Sequence, residues 1–237
     1  MTVEVRNLTK SYGTTKAVDD LSFTIREGEV LGFVGPNGSG KTTTMNIMAT
    51  LDEPDSGDVL IDGKSVLDYP DYARSVIGFM PDYIPNQNDI SAHEYIDFFA
   101  RAHGLKGATL KHRVKEIERF TNVWQIRDKV ISELSRGMKQ RVSLARSIVH
   151  NPELLIMDEP ANGLDPRARI EFRAYVKRLA AEGKAVLISS HILADLAEIC
   201  SGCMIIERGR LVKLLTGDIK SMDLESVFME FTRSEVE

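Results

Sequence analysis

An α/β fold with a mainly parallel central sheet is what three features of this 237-residue sequence predict. Short apolar runs alternate with helical patterns along most of the chain. One of them, Leu154 to Met157, is apolar without interruption, and a glycine-rich turn near residue 35 joins a strand pattern to a helix pattern. Alternating strands and helices build a sheet covered by helices. A strand covered on both faces has no polar side, which is the pattern of Leu154 to Met157.

Taken in order, the first runs differ from the rest. Val3 to Leu8, Leu21 to Ile25 and Val59 to Ile61 are punctuated by Gly13, Asp55-Ser56-Gly57 and Asp62-Gly63, turn signals that predict an N-terminal antiparallel β subdomain. Val30 to Val34, Ile77 to Met80, Leu154 to Met157 and Ala185 to Ser189 read as strands of the central sheet. From about residue 86 to 150 strand patterns give way to helical periodicity. Ser91 and Glu94 form a capping box, Tyr95, Phe98, Phe99 and Ala102 recur at helical spacing as a packing stripe, and Gly104 is a stop. A second helix is expected over Thr109 to Phe120, and a third from Ser135 to the Asn151-Pro152 break.

After the helical region come strands over Cys203 to Glu207 and Leu211 to Leu215, then a short helix over Leu224 to Phe231. This organisation predicts one domain over 1–237. Its core is about 1–85 and 151–215, with an inserted α-helical subdomain at about 86–150 and a short helical tail at about 216–237. No internal repeat is evident.

With 43% hydrophobic residues the chain is long enough to bury a sizeable core. No apolar run nears the roughly 18 residues read as a membrane span. The start, MTVEVRNLTKSY, lacks a basic stretch followed by an apolar one, so a soluble intracellular protein is expected. A net charge of −5 argues against a general nucleic-acid or lipid-surface binder. The two cysteines, Cys200 and Cys203, have no second Cys/His pair to complete a metal tetrad and read as free thiols at a helix-to-strand junction.

Gly35-Pro36-Asn37-Gly38-Ser39-Gly40-Lys41-Thr42 fits the phosphate-loop spacing G-x-x-x-x-G-K-[ST] and lies between a strand and a helix, the context that spacing requires. Glycines let backbone N–H groups turn toward phosphate oxygens, and the helix N-terminus adds partial positive charge. Lys41 brings a cation to the outer phosphates, Thr42 a hydroxyl for Mg²⁺, and Thr43 closes the nucleotide-binding set. A chain carrying such a P-loop binds ATP or a close relative.

Asp158-Glu159 directly follows Leu154 to Met157, and carboxylates at a buried strand end need a partner. Asp158 is assigned to the metal and Glu159 to the attacking water as general base. His191 follows the strand Ala185 to Ser189 and should emerge at the same sheet edge, where ligands of open α/β folds gather. With Lys41 and Glu159 it makes up the expected catalytic group.

Together with Leu134-Ser135-Arg136-Gly137-Met138-Lys139-Gln140-Arg141 ahead of a helix, these segments resemble the nucleotide-binding subunits of ABC transporters over nearly the whole chain. The resemblance implies that Ser135 and Gly137 bind the γ-phosphate of ATP held by an opposite subunit. It implies also that Tyr12 stacks on adenine and that Asn162-Gly163-Leu164-Asp165 joins the two cassettes, Asp165 contributing to the nucleotide site. A homodimer or heterodimer of cassettes, coupled to separate transmembrane permease subunits, would lie at the cytoplasmic face of the membrane through that partner and bind no nucleic acid.

Two segments depart from the family pattern. Arg136 and Met138 replace a glycine and the glutamine of Leu-Ser-Gly-Gly-Gln, a variant resembling the type-2 exporter branch. Asp82 stands where a glutamine is usual after Pro81, and as a carboxylate it is assigned to Mg²⁺ with Thr42 and Asp158. Gln87 lies five residues further on. A soluble ABC-type ATPase acting on ribosomes or DNA is the alternative, disfavoured by the single cassette. A P-loop kinase would leave the Leu134–Arg141 segment without a purpose.

Overall fold

In a computed structural model, which describes residues 1–82, 89–217 and 219–232, the apolar runs pair into two sheets. Gln87, considered above, lies outside the described residues. The chain opens with the hairpin β1 (Thr2–Tyr12) and β2 (Thr15–Arg26), turning at Gly13 with φ of 60°, and enters β3 (Val30–Val34) and α1 (Lys41–Met48). Next come β4 (Ser56–Ile61), β5 (Lys64–Ser65), α2 (Pro70–Val76) and β6 (Ile77–Met80). Three helices follow, α3 (Ala92–Ala102), α4 (Gly107–Phe120) and α5 (Arg136–Ile148). The remainder is β7 (Leu154–Met157), α6 (Pro166–Ala181), β8 (Ala185–Ser189), α7 (Leu193–Ile199), β9 (Gly202–Glu207), β10 (Arg210–Thr216) and α8 (Leu224–Thr232).

The N-terminal sheet is antiparallel in the order β2-β1-β4-β5, and the central sheet runs β10-β9-β3-β8-β7-β6. All its neighbours are parallel except β10 against β9. Side chains alternate across a strand, and β7 shows the consequence. Leu154 and Ile156 pack toward the N-terminal sheet and α1, whereas Leu155 and Met157 pack toward α5, α6 and α7. Every residue of β3, β7 and β8 is buried. The uninterrupted apolar run is therefore explained by two covered faces.

The capping box at α3 forms as expected: Ser91 Oγ accepts from Glu94 N, and Ser91 N donates to the Glu94 carboxylate at 2.8 Å. The aromatic stripe needs correction. Tyr95, Ile96 and Ala100 are buried and Phe99 is partly so, but Phe98 is 59% exposed. Phe98 sits three residues after Tyr95, yet the buried arc is centred on Ile96 and Ala100. Phe98 instead meets Phe99 edge-on, with ring centroids 5.3 Å apart.

Arg146 ties α5 to the sheet by donating to Phe79 O at 2.6 Å, and its guanidinium lies 4.9 Å from the Phe99 ring centroid. Nearby, the His103 and His150 rings stack at 3.7 Å, and His150 Nε2 donates to Ile77 O at 2.9 Å. Burial, with the adjacent His103 next in weight, lowers the His150 pKa from 6.5 to about 4. The unfolded chain then takes up a proton that the folded chain refuses. Stability present above pH 6.5 is accordingly lost as pH falls through about 4. His150→Gln keeps an N–H for Ile77 O, and a melting-temperature series from pH 8 to pH 4 should show a flatter acid decline in that variant; parallel curves would refute the assignment.

Candidate functional site

The loop between β3 and α1 is held open by contacts that exclude any side chain. A Cβ on Gly35 would lie 2.3 Å from Ile206 O and 2.4 Å from Ser39 Oγ, and one on Gly40, at φ of 100°, would lie 2.2 Å from Ala17 O. Only glycine permits this path at either position. Lys41 is buried and donates from Nζ to Gly35 O at 2.7 Å and Pro36 O at 3.1 Å, leaving one of its three N–H bonds for another acceptor. Burial pulls its pKa down, and the facing Glu159 and Asp158 carboxylates partly offset this.

β8 separates β3 from β7, and the three carboxyl ends converge. Thr42 Oγ1 donates to Asp158 Oδ2 at 2.8 Å, while buried Ser189 donates to Asp158 Oδ1 at 2.6 Å and accepts from Glu159 N at 2.8 Å. Glu159 takes φ of 46°, a conformation that costs energy away from glycine and collects at functional sites. Its Oε2 accepts from His191 Nδ1 at 2.8 Å and from His191 N at 3.3 Å. A carboxylate only accepts, so the proton sits on Nδ1. A neutral His191 then presents Nε2 as an acceptor, and donating to a phosphate from there requires the imidazolium.

Of these groups Gly35, Pro36, Thr42, Asp158, Glu159 and His191 line one cavity of about 890 Å³ together with Asn37, and Lys41 and Ser189 support it from behind the lining. Asp82 lines it as well, with its Oδ1 3.8 Å from Arg136 Nη2. The two departures from the family pattern thus face each other: one supplies the carboxylate and the other the guanidinium. That guanidinium also covers Gly163, where a Cβ would come within 2.7 Å of it.

Other expected residues lie elsewhere. Ser135 caps α5, accepting from Met138 N at 3.4 Å, and Gly137 packs toward Leu164 and Ala168. Asp165 caps α6 by accepting from Ala168 N at 3.0 Å. Tyr12 is half exposed, with its hydroxyl on Asp52 and Lys10 Nζ 5.3 Å from its ring centroid. None of these four lines the phosphate cavity of its own chain.

Sequence reasoning missed Ser189, Asn46, Leu193 and Phe228, all within or beside this cluster, and assigned Asn162, which lines the cavity, only to the loop between cassettes. Ser189 carried a usable signal, a polar residue ending an apolar strand. Phe228 carried none, because it arrives from α8 after a long separation in sequence.

Cys200 and Cys203 are free, Cys203 buried and Cys200 partly so, and burial pushes the Cys203 thiol up to about 12 and Cys200 well above its usual value. Both therefore stay protonated and unreactive near neutral pH.

A glycine-built loop at the opening of a helix, a buried lysine and strand-end carboxylates joined through hydroxyls define a P-loop ATPase. The chain belongs to the ABC transporter family, whose model matches residues 18–162, and is an ATP-binding subunit that hydrolyses ATP in support of transport. It is 41% identical over 216 residues to the ABC transporter ATP-binding protein YhcH of Bacillus subtilis (strain 168), covering 90% of this chain and 69% of that protein. To the Nod factor export ATP-binding protein I of Ralstonia nicotianae it is 34% identical over 210 residues, covering 89% of this chain and 65% of the relative. The chain thus spans about two thirds of the length of these relatives.

Among solved structures, an ATP-binding subunit of an ABC transporter superposes with a TM-score of 0.88 at 28% identity, covering 98% of this chain and 100% of the other. A dimeric ATP-binding cassette in a post-hydrolysis state, bound to ADP and Pi, gives 0.83 at 25% identity, covering 90% and 98%.

Proposed function

We propose that two cassettes, copies of this chain or this chain and a related one, close on two ATP molecules and reopen on hydrolysis, driving export through separate membrane subunits. One observation carries the reading. The phosphate cavity holds the loop, the acids and the histidine, while Ser135, which caps α5, and Gly137 in its first turn do not line it. A helix N-terminus is an anion site, and a second chain brings one to the open side of the first chain's phosphates. Because ATP then contacts both chains only in the closed form, its differential affinity drives closure.

In this reading Glu159 accepts the proton of the attacking water, and His191 holds the Glu159 carboxylate through Nδ1. Lys41 binds the outer phosphates, with the amides from Gly35 to Thr43 around them. Tyr12 stacks on adenine, and Asp165 positions the loop facing the partner cassette. Thr42, Asp158 and Asp82 offer only oxygen donors, the set a hard divalent ion takes, and would hold Mg²⁺, which neutralises phosphate charge when bound.

Helices α3 to α5, within the inserted subdomain read at about 86–150, pass the motion outward, and the stretch read at about 216–237 is the tail. A groove lined by Leu51, Phe79, Pro81, Phe99 and His103 adjoins Asp82 at the seam between core and helices, with Leu51 64% exposed. A cytoplasmic segment of the membrane subunit occupies it and holds the cassette at the cytoplasmic face. Among the described residues no helix is long and apolar enough to cross a membrane; in this reading the partner provides the attachment. Export follows the naming of the Nod factor relatives.

Ser135→Asp tests the two-chain site. Aspartate keeps the helix cap but sets a carboxylate against the phosphate, and like charges at an interface cost several kcal/mol. Nucleotide binding by the single chain should persist, ATP-dependent dimers should vanish from light scattering, and turnover should fall about a hundredfold or more. Dimers and turnover at wild-type levels would overturn the reading.

A further inference from the structure

At the opposite end of the central sheet from the phosphate loop, a second cavity of about 590 Å³ opens between α4, the end of α5 and the end of α6. Asn151-Pro152 ahead of β7 and Lys184 ahead of β8 bound it, and it shares no lining residue with the nucleotide cavity. Its size is that of a pocket for a small organic ligand. The floor is apolar, formed by Ile117, Phe120, Ile148, Leu155 and Leu179.

The rim is basic beyond its internal needs. Arg113 is satisfied by Ile148 O, Val149 O and Glu116, and Arg178 pairs with Glu182 at 3.3 Å while lying over the Phe120 ring. Lys115, Arg119 and Lys184 remain, and among the described residues no ion pair joins any of the three to a carboxylate. Lys115 and Arg119 stand four residues apart on α4, a like-charge spacing that mildly destabilises a helix, and both lie against the Trp124 ring. Lys184 is half-buried and donates to the neutral Asn151 Oδ1 at 2.9 Å. Desolvation and the adjacent Arg113 lower its pKa, against the weaker pull of Glu153 and Glu182. A partly desolvated ammonium beside Arg113, in a cavity that Lys115 and Arg119 also line over an apolar floor, is matched by an oxyanion carrying an apolar body.

We propose that this cavity binds a small amphiphilic anion, a carboxylate or phosphate head on an alkyl chain, with Lys184, Lys115 and Arg119 taking the head and the Ile117, Phe120 and Leu179 surface taking the chain. The occupant bridges α4 to the segment that enters β8, so it ties the helical region to the sheet.

The sole tryptophan, Trp124, provides the readout, because Lys115 and Arg119 lie 5.8 and 5.3 Å from its ring centroid. Decanoate, decyl phosphate, decanol and inorganic phosphate are titrated separately into the full chain by calorimetry and by Trp124 emission, with and without saturating ATP. Expected is saturable one-site binding of decanoate or decyl phosphate, unaffected by ATP, with the stronger of the two naming the head group. Decanol and inorganic phosphate should bind at least about tenfold more weakly, as should the preferred anion to Lys184→Met and to Arg119→Gln, since a charge-assisted contact is worth roughly that factor or more. ATP affinity and melting of both variants should match wild type. The proposal is overturned if neither anion binds saturably, if decanol or phosphate alone binds as well, if ATP displaces the anion, or if both variants bind it unchanged.

Discussion

Glu159→Gln should bind ATP as tightly as wild type and hydrolyse it about a hundredfold more slowly or worse, the usual cost of removing a positioned general base. Glutamine matches glutamate in shape, and its carbonyl oxygen still accepts from His191 Nδ1, so the 2.8 Å contact and the backbone bond to Ser189 survive. What disappears is the ability to take a proton. The phosphate loop, Lys41 and the Thr42–Asp158 contact are untouched, which is why affinity should hold. Binding without turnover also keeps ATP at the site, so the variant should accumulate as the ATP-bound dimer. Equilibrium binding of a labelled nucleotide, measured beside steady-state phosphate release, separates the two effects. Equal rates in variant and wild type would remove Glu159 from the chemistry and leave the Glu159–His191 pair as a structural contact.

Legibility followed the range of the forces involved. β7 was readable because two covered faces leave no place for a polar residue, and the phosphate loop because its glycines answer steric contacts such as Ile206 O against Gly35. The acids were readable because they are the first two residues beyond a buried strand. The links between strands were not. Ser189 joins Asp158 to the Glu159 amide across 30 and 31 residues, and those bonds depend on β8 lying beside β7, an order that no local pattern encodes. The encounter of Asp82 with Arg136 was hidden for the same reason: each was visible as a departure, but their proximity is tertiary. Phe98 shows the limit of periodicity, since an aromatic at helical spacing lies at the edge of the buried arc as readily as within it.

The largest effect on binding should come from Lys41→Ala. The buried ammonium holds two loop carbonyls and faces Asp158 and Glu159, which partly offset its burial with or without nucleotide. Its desolvation cost is already met in the folded chain, and what remains available is interaction with the outer phosphates. Charge-assisted hydrogen bonds contribute roughly 1.5–3 kcal/mol each, and losing the one that the free N–H of Lys41 can make weakens ATP by about tenfold to a hundredfold. AMP has no outer phosphates to lose, so its affinity should change far less. That contrast separates a missing phosphate contact from a collapsed loop, which would weaken both nucleotides alike. Lys41→Arg should not rescue binding, because a planar fork cannot occupy a space closed by the Gly35 and Pro36 carbonyls as a compact ammonium does. If Lys41→Ala binds ATP as tightly as the unmodified chain while melting at the same temperature, the lysine serves the loop and not the phosphates, and the chemistry assigned to this cavity loses its anchor.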